Sequence, residues 1–215
     1  MTGTALQAFA LSTGLVALAE MGDKTQLLTL VLASRFRNPW ALSLGILVAT
    51  LLNHSLAGQF GQWLSLQIEP NLLKSLLGFF FVLVALWILV PDRLDEGFPQ
   101  KPRLGVFGLT VVAFFVAEMG DKTQIATVGL AAAEPHLVAV ILGTTSGMLI
   151  ANLPLIVLGQ RFADRIPFRA TRIAAALLMA TTGVMTLLRV EAPLSAVAAS
   201  IKSRGAELAA PFRAW

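Results

Sequence analysis

The string EMGDKTQ stands at residues 20–26 and returns letter for letter at 118–124. Each copy sets a Glu, an Asp three residues on and a Lys directly after it in an apolar surround: Glu20, Asp23 and Lys24, then Glu118, Asp121 and Lys122. On a continuous helix the i, i+3, i+4 spacing puts all three on one face. Four carboxylates facing each other would form a cage of hard oxygens, which suits Mn²⁺, Ca²⁺ or Mg²⁺ rather than Zn²⁺ or Cu⁺. Gln26 and Gln124, three residues after each Asp, are candidate carbonyl ligands. Gly22 and Gly120 carry no side chain where the helix of the other copy would need to come close. Local unwinding at these glycines would also free backbone carbonyls for an ion.

Charge counting sharpens the chemistry. Glu20, Asp23, Glu118 and Asp121 sum to −4 and Lys24 and Lys122 to +2, so the two motifs carry −2 and one divalent cation neutralises them. Without the cation, neutrality would return with about two protons, because uncompensated charge is costly in a low-dielectric interior. One M²⁺ exchanged for about two H⁺ is the expected reaction, with the carboxylates as both ligands and proton carriers. The bland alternative is a pair of buried Glu–Lys ion pairs that only fix helix register. It fits less well, because the acids outnumber the lysines and the string occurs twice.

The 215-residue chain around these motifs is 56% hydrophobic and only 13% charged, about half the charge of an ordinary soluble domain. Six segments, near 5–33, 40–65, 72–90, 105–133, 136–160 and 170–189, are apolar over the roughly 20 helical residues a bilayer requires. Strands of a membrane barrel would be about 10 residues long and alternating. The expected fold is an all-α integral membrane protein with six transmembrane helices. Glu20 and Glu118 then lie near mid-membrane, where each charge costs about 2.5–3.5 kcal/mol on insertion scales. Six such charges cost on the order of 15–20 kcal/mol, which argues for function. The chain has no cysteine, which excludes disulfides, thiolate metal sites and cysteine nucleophiles. Its net charge of +4 sits largely in loops and the tail, so it reads as a topology signal and not as a nucleic-acid surface. Ala17-Leu18-Ala19 imitates a signal-peptide cleavage site. Residues 1–6 hold no Lys or Arg, however, and the same Ala-Glu junction recurs at Ala117-Glu118, so the segment reads as a span.

Sliding the sequence by 98 residues lays 8–64 on 106–162 without a gap, with Gly45 over Gly143 and Lys74 over Arg172. Each unit holds three spans, an odd number, so the second unit must enter the membrane from the opposite side. The expectation is two inverted three-helix repeats with one site at the midplane between them. In residues, this gives a first repeat over 1–90, a cytoplasmic linker over 91–104, a second repeat over 105–190 and a tail over 191–215. Arg35, Arg37, Arg93, Lys101, Arg103, Arg161, Arg165, Arg169 and Arg172 fall on one side and Lys74 on the other. The excess marks the cytoplasmic side and puts both termini outside, although Arg189, Lys202, Arg204 and Arg213 in the tail oppose it. Trp40, Trp63 and Trp87 fall at span ends, as interface aromatics do.

Asn53 and Asn152 lie mid-span at nearly equivalent positions, where they line a pathway or bond between helices. His54 reads as packing, His136 as a helix-start residue, and Met21 and Met119 as interface filler. Gly143 and Gly147 mark a close helix contact. Two other functions compete. A passive cation channel would share the acidic site without coupling to protons. An intramembrane aspartyl protease would use Asp23 and Asp121 as its pair, but each has a Glu and a Lys beside it.

The doubled Glu-Met-Gly-Asp-Lys-Thr resembles the twin signature of the transmembrane protein 165 family, and the resemblance covers the whole chain. It implies export of Mn²⁺, in some members Ca²⁺, from the cytosol in exchange for protons. Carried over by residue, it implies Glu20, Asp23, Glu118 and Asp121 as ion ligands, with Lys24, Thr25, Lys122 and Thr123 completing the signature. It implies no enzymatic activity and no resident cofactor. The partners expected are the divalent cation, protons and the lipid bilayer. The short linker and missing targeting extension fit a bacterial plasma-membrane form rather than a Golgi one.

Overall fold

A computed structural model describes residues 4–90, 104–158 and 168–188. The tail and all of the linker but Leu104 lie outside them. The described residues form helices joined by short turns: α1 Ala5–Glu20, α2 Lys24–Phe36, α3 Pro39–Gln67, α4 Pro70–Ile88, α5 Gly105–Glu118, α6 Lys122–Ala133, α7 Leu137–Leu158 and α8 Phe168–Leu188. Helix starts follow local chemistry. Thr4 and Gln7 form a reciprocal capping box at α1. Asn38 and Glu69 cap α3 and α4 with their side chains, each directly before a proline at the first helical position.

Four helices, α3, α4, α7 and α8, are long and apolar enough to cross a membrane. The pair α1–α2, bent by 70°, makes a fifth span if taken as one. Together with the apolar side chains turned outward, such as Leu83, Val116 and Leu177, this describes a multi-pass membrane protein. The continuous spans expected over 5–33 and 105–133 are each broken, at 21–23 and 119–121. Glu and Asp of one motif therefore do not share one helix face. Gly22 and Gly120 are the physical reason: both sit at positive φ, 83° and 72°, a left-handed backbone that ends a helix. A Cβ on Gly120 would meet nothing within 4 Å, so this glycine serves the turn and not the close approach expected from sequence.

Close approach occurs elsewhere. Helices in lipid gain little from apolar burial against each other, so they associate through tight packing at small residues. α1 lies on α7, where a Cβ on Gly143 would come 2.6 Å from Phe9 O and one on Gly147 2.6 Å from Thr13 O. α3 lies on α5, where a Cβ on Gly45 would meet Thr110 Cβ at 2.6 Å and Phe107 O at 3.1 Å. Gly143 with Phe9 and Gly45 with Phe107 are the same contact displaced by 98 residues. Thus α1 of the first half packs on α7 of the second, and α5 of the second half on α3 of the first. α4 and α8 meet at Gly78 and Gly183. Adjacent residues of α1 serve two cores, Leu15 with Phe81, Leu130 and Met179, and Val16 with Ile46, Phe114 and Met148.

Candidate cation site

Both breaks are built alike. Glu20 is the last residue of α1, and Asp23 N-caps α2 in extended conformation; Glu118 and Asp121 repeat this at α5 and α6. The Asp23 N–H donates to Glu20 O and the Asp121 N–H to Glu118 O, both at 3.0 Å. The Gly22 N–H donates to Gln26 Oε1 at 2.8 Å and the Gly120 N–H to Gln124 Oε1 at 2.7 Å. The two glutamines thus stitch the breaks closed. Their oxygens, read from sequence as candidate ligands, are engaged with backbone.

Four half-helix ends converge here. The starts of α2 and α6 present their positive dipole ends to the aspartates. Asp is a favoured N-cap residue, yet neither carboxylate caps its own helix. Each is drawn to the lysine of the other motif: Lys24 Nζ lies 3.0 Å from Asp121 Oδ1, and Lys122 Nζ lies 3.2 Å from Asp23 Oδ1. Lys122 also donates to Val90 O at 3.3 Å. Thr25 Oγ1 donates to Glu20 Oε2, while Thr123 Oγ1 donates to Asp121 Oδ2 at 3.2 Å.

All four acids are buried, and one oxygen each from Glu20, Asp23 and Asp121 lies within 4.8 Å of the others. Glu20 Oε1 has no hydrogen-bond partner among the described residues. Anions brought this close with unfilled acceptor sites suit a small hard cation bridging them. Glu118 stands apart from this group, with its Oε2 at 3.3 Å from His54 Nε2.

The family of the divalent cation/proton antiporter GDT1 matches residues 8–96 and 106–193, most of the chain. The chain belongs to this family. Among curated relatives, a Vibrio cholerae protein described as a "putative manganese exporter" is 46% identical over 168 residues, covering 78% of this chain and 84% of the relative. A GDT1-like protein of Synechocystis is 29% identical over 80% of this chain and 93% of its own. A GDT1-like protein of Arabidopsis thaliana is 27% identical over 86% and 97%. No solved structure matches.

The protein is thus a divalent cation/proton antiporter and not an enzyme, which sets aside the protease and channel readings. In this antiporter the motif residues of both halves meet, through the Lys24–Asp121 and Lys122–Asp23 pairs. Asn53 and Asn152 serve the second ring around them: Gln124 Nε2 donates to Asn53 Oδ1 at 3.2 Å, and Thr29 Oγ1 to Asn152 Oδ1 at 2.6 Å. Gln26 Nε2 donates to Ala151 O at 2.8 Å, tying the first break to α7. Sequence reasoning missed Thr29 and assigned His54 to packing. The available signal was register: His54 falls on Asn152 under the 98-residue shift, a polar residue on a polar residue at membrane depth.

Proposed function

We propose that this antiporter exports Mn²⁺ from the cytoplasm, with Ca²⁺ as a weaker substrate, in exchange for about two protons per ion. Glu20, Asp23 and Asp121 form the core of the ion site and Glu118 joins it, with the lysines holding the aspartates between cycles. The single observation that carries this reading is the cluster of three buried carboxylates assembled from both motifs. The resident charge of −2 favours one divalent ion, and the 46%-identical relative described as a manganese exporter favours Mn²⁺.

In this reading the chain forms six spans, with α1–α2 and α5–α6 as broken helices, in two inverted repeats over 1–90 and 105–190. The linker 91–104 lies in the cytoplasm, both termini lie outside, and the membrane is a bacterial plasma membrane. The interlocked contacts of Gly45 and Gly143 support the two-fold arrangement, since each half supplies the same contact to the other. Mn²⁺ accumulation in bacteria lacking their own exporter tests the function. Expression should lower cellular Mn²⁺, and Glu20→Gln should not. Cellular Mn²⁺ left unchanged by the wild-type protein, at confirmed membrane expression, would refute export.

A further inference from the structure

The two motifs differ in what faces their glutamates. Glu20 accepts from Thr25 and groups with Asp23 and Asp121. Glu118 faces His54 from α3, with Nε2 and Oε2 at 3.3 Å but outside hydrogen-bond geometry. Both residues are fully buried, and among the described residues neither carboxylate oxygen of Glu118 nor either ring nitrogen of His54 has a hydrogen-bond partner. The equivalent position in the other half is closed: Asn152 accepts from Thr29 and donates to Met148 O at 3.0 Å. One half therefore satisfies this polar position and the other leaves it open, at a cost that buried polar groups normally avoid.

We propose that His54 is a ligand of the transported cation and, with Glu118, sets its preference for a first-row transition ion over Ca²⁺ and Mg²⁺. The proposal rests on the exporter reading above. Two ligand atoms about 2.1–2.4 Å from one ion and a right angle apart lie about 3.0–3.4 Å from each other. The 3.3 Å between Nε2 and Oε2 matches that spacing. Glu118 is near enough to Glu20, Asp121 and Lys24 for their charges to act on one another, so the pair adjoins the three-carboxylate group. Ca²⁺ and Mg²⁺ take oxygen ligands, whereas neutral imidazole is an ordinary ligand of transition ions. A nitrogen in an otherwise all-oxygen site shifts selectivity in that direction.

Pulsed electron paramagnetic resonance of Mn²⁺ bound to the purified full-length protein reads the ligand directly. The expected spectrum carries nitrogen modulation that changes with ¹⁵N-histidine labelling, vanishes in His54→Asn and persists in His136→Asn; the chain has two histidines. In proteoliposomes, His54→Asn should lower the Mn²⁺-over-Ca²⁺ flux ratio by about tenfold or more, whereas a purely structural loss would lower both fluxes together. Bound Mn²⁺ without histidine nitrogen coupling in the wild type overturns the proposal, even if the variant fails to fold, and leaves the exporter reading standing. No bound Mn²⁺ at all overturns both.

Discussion

Lys24 Nζ lies 3.0 Å from Asp121 Oδ1, and Lys122 returns the contact to Asp23 at 3.2 Å. Each motif lends its lysine to the aspartate of the other. The ammonium groups occupy the electrostatic role that a divalent ion would take on the same carboxylates. They also fasten the two halves of the site across their breaks.

Removing a lysine should therefore act in two directions. Breaking a buried ion pair costs about 3–5 kcal/mol when one charge is left alone. The Lys122 side chain is 4% exposed and that of Lys24 24%, so Lys122→Met should lower the melting temperature more than Lys24→Met. Each variant also makes the site more negative, so Mn²⁺ affinity should rise while turnover falls. Thermal unfolding and Mn²⁺ titration in detergent check both. Weaker Mn²⁺ binding in the two variants would show that the lysines help hold the ion.

The glycines separate backbone from space. Gly120 is at φ 72° with open room where a methyl group would stand, so Gly120→Ala should cost about 1–2 kcal/mol through the backbone alone. Asn visits the left-handed region more readily, so Gly120→Asn should cost less. Gly143→Ala acts by collision, 2.6 Å from Phe9 O, and should loosen α1 from α7. Melting temperatures order the three; equal values for the Ala and Asn variants at 120 would contradict the backbone account.

Protons and metal compete for the same carboxylates, because a ligand must be deprotonated to bind. Mn²⁺ affinity should fall as pH falls, approaching about 100-fold per pH unit where two protons are displaced together. Calorimetric titration in buffers of different ionisation enthalpy counts the protons released on binding. About two is expected. A count of zero would remove the carboxylates as shared carriers.

Thr25 donates to Glu20 and holds one of its oxygens in place. Thr25→Val should weaken Mn²⁺ binding about 10–100-fold, the usual effect of deleting an outer partner of a ligand, and Thr25→Ser should restore it. A Thr25→Val protein with unchanged affinity would release Thr25 from the site.

Much of this is legible in the sequence because repetition survives in one dimension. EMGDKTQ at 20–26 and 118–124 points to the acids, and the 98-residue register matches Gly45 to Gly143 without knowledge of their contacts. The breaks at 21–23 and 119–121 are not legible from hydropathy, which averages over a span and is blind to the sign of φ at Gly22 and Gly120. In one dimension these glycines suggest either clearance for a neighbouring helix or a local unwinding; the structure uses them for the unwinding, as a left-handed turn. Partner choice is hidden for a different reason. Lys24 is adjacent to Asp23 in sequence but meets Asp121 in space, while Asp23 meets Lys122, because the starts of α2 and α6 face each other. The Gln26 and Gln124 oxygens, expected as ligands, also accept from the Gly22 and Gly120 N–H groups, a contact that exists only because the helix breaks there.

The central claim is exchange of cation for protons at the twin motif. Its most direct test is proteoliposomes of the purified protein with a pH-sensitive dye inside, Mn²⁺ added outside, and Glu20→Gln and Glu118→Gln alongside. Inward Mn²⁺ movement should drive protons outward at about two per ion, without generating a membrane potential, and both variants should abolish it. Mn²⁺ entry with no proton movement, or proton exchange undiminished in both variants, would contradict the account.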